Sequence, residues 1–147
     1  MAAGLAVLPD RVAALRTRLN ELAARSLTPG QLQPALRLDT EVTLDDVHVA
    51  ALRELERLHP LGQANPAVQV QVSRLTLARP PQPLGQTGQH LKLWVTDGRR
   101  QAEVVWWGGG GKPGPEGRFD LAAAPQINEF NGRTTVQLRL LDWRPAV

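Results

Sequence analysis

The chain has 147 residues, no cysteine, and a formal charge of +3 from 17 basic and 14 acidic side chains. That length suffices for one compact domain or for a small domain with an appendage, and the missing thiols remove disulfides, thiolate nucleophiles and cysteine-type zinc sites together. No apolar run approaches the ~20 residues that cross a bilayer, and residues 1–8 have neither the basic start nor the length of a secretory signal, so a soluble, cytoplasmic protein without a membrane partner is expected.

Residues 10–26 carry Val12, Leu15, Leu19 and Leu22 at spacings of three and four, which predicts an amphipathic helix with Asp10 as its N-cap and Thr28-Pro29-Gly30 as its end. A short strand comes next, with Leu36 and Leu38 on one side and Arg37 and Asp39 on the other. Thr43 is expected to open a second helix in a variant capping box with Asp46, and Leu44, Val47, Ala51, Leu55 and Leu58 form its stripe. His59-Pro60 stops it, because proline disfavours helical geometry in the residue before it. Asp45-Asp46 at a helix start answers the helix dipole and needs no metal or acid-base role. Two helices and a short strand make a poor core on their own, so this region reads as the tail of another domain or a cap on the C-terminal part of the chain.

From residue 67 the period changes to two. Val68, Val70 and Val72, then Leu75 and Leu77, mark a long first strand, and residues 80–88 read as a loop. Leu91, Leu93 and Val95 alternate with His90, Lys92 and Trp94 in a second strand, and Asp97-Gly98 turns it into a third over residues 101–107. Residues 108–117 are glycine-rich but lack the Gly-Lys-Ser/Thr ending of a phosphate loop, so they read as a flexible linker. A fourth strand over residues 118–127 meets a fifth through Asn131-Gly132, a dipeptide suited to a type I′ hairpin turn. In the fifth, Thr134, Val136, Leu138 and Leu140 alternate with Arg133, Thr135, Gln137 and Arg139, giving one apolar and one cationic face. The predicted fold is therefore mainly β with an N-terminal helical segment (α+β): a small barrel preceded by two helices and a short strand, for which a five-stranded OB-fold barrel is suited, although other small barrels give a similar pattern.

Charge is unevenly placed. Residues 1–60 hold seven arginines against eight carboxylates, a net −1, while residues 61–147 hold ten basic against six acidic groups, a net +4. A polyanion surface is thus expected on the barrel. Its candidate residues are Lys92, Trp94, Arg99, Arg100, Trp107, Arg118, Arg133 and Arg139, because cations track phosphates and indole faces stack on unpaired bases. Trp94, Trp106 and Trp107 have core packing as their alternative role. Asn128 and Asn131 are assigned to turn shaping, and His90 is read as an ordinary strand histidine.

Three local patterns go further than periodicity. Leu58-His59-Pro60-Leu61-Gly62-Gln63-Ala64-Asn65-Pro66, Gly88-Gln89-His90-Leu91-Lys92-Leu93, and Ile127-Asn128-Glu129-Phe130-Asn131-Gly132 followed by Val136-Gln137-Leu138 and Asp142 resemble, in order and spacing, segments of RecJ-type exonucleases of the DHH phosphoesterase superfamily. Leu61, Ala64 and Phe130 depart from the family pattern, which has Phe, Gly and Trp there. The resemblance implies that residues 1–60 correspond to the end of a DHHA1 domain, residues 61–66 to a junction and residues 67–147 to an OB domain. It also implies that manganese or magnesium chemistry sits in a catalytic DHH domain outside this chain. There is no Asp-His-His triplet here, and His48, His59 and His90 have no partner at ligand spacing, so no catalytic residue and no cofactor are expected in the chain itself. The implied function is a non-catalytic single-stranded-DNA-binding module of a 5′-to-3′ exonuclease in recombination and repair. Its implied partners are single-stranded DNA and the missing DHH and DHHA1 domains. The alternative is an interaction module recruiting single-stranded-DNA-binding protein or a helicase, and an autonomous enzyme is a distant third.

Overall fold

The structure, a computed structural model, describes residues 4–147. It divides into two compact units, Met1–Leu36 and Arg37–Val147.

In the first unit a 3₁₀ turn, Pro9–Arg11, leads into α1, Val12–Ser26. Asp10 is not the N-cap. Pro9, with its φ preset for helical geometry, starts the winding earlier, so Asp10 falls inside the first turn and Arg11 flanks the helix without a side-chain cap. The helix ends at Ser26, as its sequence indicates, and a second 3₁₀ turn, Pro29–Leu32, comes after it with the Thr28 amide donating to Gln31 Oε1 at 2.8 Å. The stripe residues Val12, Leu19 and Leu22 are exposed.

The second unit begins with β1, Thr40–Val42, slightly later than the predicted short strand, paired in parallel with the start of β2 at Thr40↔Val70 through Val42↔Val72. Asp39 fixes this register: its amide donates to Gln69 O and its carboxylate accepts from the Gln69 amide, both at 2.8 Å. The helix expected from Thr43 does not start there. Asp46 Oδ2 accepts from both the amide (2.8 Å) and the hydroxyl (2.7 Å) of Thr43, closing a turn that competes with helical winding. That turn, chiefly through the Thr43 hydroxyl, holds the Asp46 carboxyl below its usual range. The helix α2, Val49–Leu55, opens only after His48, whose Nδ1 accepts from the Ala51 amide at 3.1 Å. It continues as a 3₁₀ turn, Glu56–Leu58, and stops at His59-Pro60 as expected.

Five long strands complete the unit: β2 (Val70–Leu84), β3 (His90–Thr96), β4 (Gln101–Trp106), β5 (Phe119–Phe130) and β6 (Arg133–Pro145). The ladder runs β2-β3-β4-β6-β5 and returns to β2 through a β2–β5 pairing, so the sheet closes on itself, with β4 and β6 parallel and the other ring pairs antiparallel. This is the OB-like topology predicted. β2 serves two neighbours by bending at Arg74, which adopts φ 58°. Its amide donates to Asp120 Oδ1 at 3.1 Å, and Asp120 Oδ2 meets Arg144 Nε at 3.1 Å, so a nearly buried carboxylate pins the bend. The loop predicted over residues 80–88 is shorter: β2 passes through Pro80, Pro81 and Pro83 to Leu84. The register shift between Arg79 and Gln82 places Pro80 and Pro81 where the ladder is already interrupted, while Pro83 stays in register opposite Leu91.

Alternation puts Val70, Val72, Leu75, Leu93, Val95, Val104, Phe119, Leu121, Ala123, Leu138 and Leu140 inside the ring, joined by Leu44 from the turn after β1. Each fully buried large side chain contributes about 1.5–3 kcal/mol. A bulge on β6 opposite Ala122 and Ala123 resets the phase, so that Trp143 as well as Leu140 packs on the core. Asn131 and Gly132 have φ 49° and 72°, the two positive values of the type I′ turn read from the sequence.

The connection from β4 to β5 is not a flexible linker. A Cβ on Gly109 would stand 2.3 Å from the Trp106 ring, and one on Gly110 would stand 2.1 Å from Gly88 O. Gly110 donates to Gln89 O at 3.0 Å, and Pro115 is fully buried. Gly109 and Gly110 are there for close approach, Gly109 to the Trp106 ring and Gly110 to the backbone of Gly88 and Gln89.

Candidate nucleic-acid interface

The register assembles an outer face over β2, β3, β4 and β6. One row across it reads Arg79, Trp94, Glu103, Gln137, and the next reads Gln82, Lys92, Val105, Arg139. Trp94 is outward and half-buried. The Arg79 guanidinium lies 3.3 Å from the centroid of its ring and Lys92 Nζ lies 5.6 Å from it, so two cations lie near the indole. Lys92 is not free: it pairs with Glu103 Oε2 at 3.0 Å, both side chains 28% exposed, and Gln137 Nε2 donates to the other carboxylate oxygen. Arg139 is half-buried, and its Nε has no acceptor among the described residues.

The other predicted residues lie at the two ends of this face. Because β4 and β6 run in the same direction, the β3–β4 turn with Arg99 and Arg100 projects from the same end of the sheet as the β5–β6 hairpin with Arg133. Arg100 Nε is held by Asp45 at 2.5 Å, whereas Arg99 and Arg133 are exposed and make no ion pair among the described residues. In that turn Asp97 Oδ1 accepts from the Arg99 and Arg100 amides, each at 2.8 Å. These bonds, the Arg100 one foremost, hold its carboxyl below the ordinary range. Trp107 lies at the opposite end, 55% exposed, its ring meeting His90 edge to face at 4.6 Å. Arg118, just before β5, is exposed at that end too, and its carbonyl accepts from the Ala146 amide at 3.0 Å. Trp106 points inward onto the core, which settles core packing for that tryptophan alone.

Two members of this surface escape the sequence reading. Arg79 is masked by the three prolines after it, which suggest a loop, and period two would group it with inward Leu75 and Leu77; the Leu77–Arg79 bulge turns it outward, opposite Trp94. Phe130, 70% exposed and paired with Arg133 beside the hairpin turn, is visible in the sequence only as a motif residue. Beyond the ring the β5–β6 hairpin continues as a two-stranded arm from Ile127↔Val136 to Phe130↔Arg133. Four residues at ~3.4 Å give it a reach of roughly 13 Å.

A family model described as the RecJ OB domain matches residues 38–142. The chain belongs to that family. It is 30% identical over 145 residues to the single-stranded-DNA-specific exonuclease RecJ of Bacillus subtilis, covering 97% of this chain and 18% of that protein. In fold it matches RecJ of Thermus thermophilus in complex with Mn2+ at a TM-score of 0.71 and 23% identity, over 98% of this chain and 20% of that one. The same protein with Mg2+ matches at 0.70 and 21%, over 97% and 21%. The chain therefore spans about a fifth of the length of these relatives. Residues 37–60, grouped by sequence with the helical segment, lie in the same compact unit as the RecJ OB strands, and the family match likewise opens at residue 38.

The RecJ-like motifs have structural causes here. Asn65 Nδ2 donates to Leu58 O (2.7 Å) and Pro60 O (3.2 Å), and Gly62 and Asn65 exchange backbone bonds, so the junction is a self-closed turn. Ala64 replaces a family glycine without backbone strain, since the non-glycine residues at positive φ are Arg74 and Asn131. Among the described residues no three His, Asp or Glu side chains are grouped to hold a metal ion.

Proposed function

We propose that the outer face of β2, β3, β4 and β6 binds single-stranded DNA without cutting it, holding substrate for a RecJ-type 5′-to-3′ exonuclease in recombination and repair. The observation that carries this reading is Trp94, with Arg79 and Lys92 near its ring, at the centre of a face whose two ends expose Trp107 and Phe130. Stacking on an aromatic face contributes about 1–3 kcal/mol per base and tolerates any sequence. Arg139, Arg133 on the arm and Arg79 supply cations for the phosphates, to which a guanidinium can donate in a bidentate fashion.

Titrating the chain with a fluorescent oligothymidylate tests this. With three cations engaged, log K against log salt should fall with a slope of roughly −2. Absence of binding at low salt, or affinity indifferent to salt, refutes it. Capture of single-stranded-DNA-binding protein or a helicase that survives nuclease treatment, with no oligonucleotide binding, would establish the interaction-module reading instead.

A further inference from the structure

Trp107 continues the outward series Glu103, Val105 on β4, and His90 continues the outward series Trp94, Lys92 on β3. Little buries the Trp107 ring, so the backbone after it must set its direction. That backbone is tied to the β2–β3 turn at two points: the Gly108 amide donates to His90 Nδ1 at 2.9 Å, and the Gly110 amide donates to Gln89 O at 3.0 Å. With no room for a Cβ at Gly109 or Gly110, this is a fitted strap, and the His90 imidazole is one of its two fastenings.

The Gly108 bond dictates the tautomer. A bare Nδ1 puts the ring proton of neutral His90 on Nε2, which lies 3.2 Å from the Gln89 side-chain amide. The Gln89 amide nitrogen is the atom placed there, while its oxygen accepts from the Thr87 hydroxyl at 3.0 Å; turning that amide over gives the Nε2–H an acceptor and leaves the nitrogen to donate to the hydroxyl. Neutral His90 thus accepts from Gly108 whichever way the amide is turned. In the imidazolium both ring nitrogens are donors, so Nδ1–H would face the Gly108 N–H and the bond could not form.

We infer that neutral His90 is a positioning residue that aims Trp107 as a nucleobase-stacking platform at this end of the face, and that acid releases the platform. This rests on the proposed single-strand function. The charged side chains on the surrounding segments are Lys92, paired with Glu103, and Lys112, Glu116 and Arg118 on the connection from β4 to β5; residues 84–89 contribute none. A histidine that acted by its charge on a phosphate would give the opposite sign, with binding tightened by acid.

The test uses the full chain, an oligothymidylate, and pH values from about 8 down to about 5.5, the range in which imidazoles titrate. His90→Asn supplies an uncharged acceptor, Asn Oδ1, near the position of Nδ1, and His90→Ala supplies none. The wild type should lose about tenfold in affinity on acidification, the equivalent of one stacked base. His90→Asn should keep the high affinity and lose the pH dependence. His90→Ala and Trp107→Ala should be weak throughout. In the DNA-free protein, the Gly108 amide and Trp107 indole NMR signals should move together with His90 protonation in the wild type and stay still in His90→Asn. Parallel pH profiles for the wild type and His90→Asn, tighter binding in acid, or a Gly108 signal indifferent to His90 protonation would overturn the inference. If those signals respond but no oligonucleotide binds at any pH, the hold of His90 on Trp107 stands and the DNA-binding reading alone falls.

Discussion

Replacing Glu103 by glutamine should tighten single-strand binding. Glu103 is the one carboxylate in the two central rows of the face, and it neutralises Lys92 at 3.0 Å. Glutamine keeps an oxygen for Gln137 Nε2 but removes the charge, leaving Lys92 free beside Trp94. Each additional phosphate neutralised on a single strand adds about 0.7 to the steepness of log K against log salt, so one decade below 1 M, at ~0.1 M salt, the gain is about 0.7 log units, or fivefold. The half-exposed ion pair is lost at a cost of about 0.2–1 kcal/mol, or a few degrees in Tm. Fluorescence anisotropy at several salt concentrations measures both affinity and slope, and Glu54→Gln, which opens the exposed pair between Glu54 on α2 and Arg57 in the 3₁₀ turn after it, controls for net charge. An unchanged slope, or weaker binding than wild type in a folded Glu103→Gln protein, would show that Lys92 never reaches a phosphate and that the pair serves the sheet alone.

Four further outcomes can be measured. Gly110→Ala forces a Cβ to 2.1 Å from Gly88 O and should cost about 1–3 kcal/mol in chemical denaturation. Gly132→Ala, with open space but φ 72°, should cost only about 1 kcal/mol. Asp120→Ala strands the Arg74 amide and should cost about 1–3 kcal/mol, read as a lowered denaturant midpoint. Asp97 has a folded carboxyl below the ordinary 3.8, so its contribution is present above that value and is lost as pH falls through the lower folded one. Asp97→Ala should therefore flatten the fall in Tm below about pH 4 and leave its course from about pH 6 to 8 unaltered.

Strand identity and the hairpin were legible because period two and Asn131-Gly132 are local signals that the closed sheet reinforces. The start of α2 was not, because Thr43 and Asp46 are equally suited to a capping box and to an isolated turn, and only the burial of Leu44 in the ring decides between them. Lys92 and Trp94 could be placed on one face from alternation alone. That Glu103 neutralises the lysine, and that Arg79 lies on the indole, depends on inter-strand register, which bulges around the prolines conceal. A run of glycines spells flexibility or close approach with the same letters; the carbonyl of Gly88, twenty-two positions before Gly110, makes it the second.

β1 supplies only three residues, yet it occupies the flank of Val70, Gln71 and Val72 that β3 does not reach, since β3 pairs with β2 only from Thr76 onward. A chain cut at the proline-rich junction would bare those amides and carbonyls as a template for intermolecular pairing, and would uncork the ring by deleting Leu44. The smallest piece able to be transplanted between proteins therefore begins near Arg37, well upstream of the point where the sequence changes its rhythm.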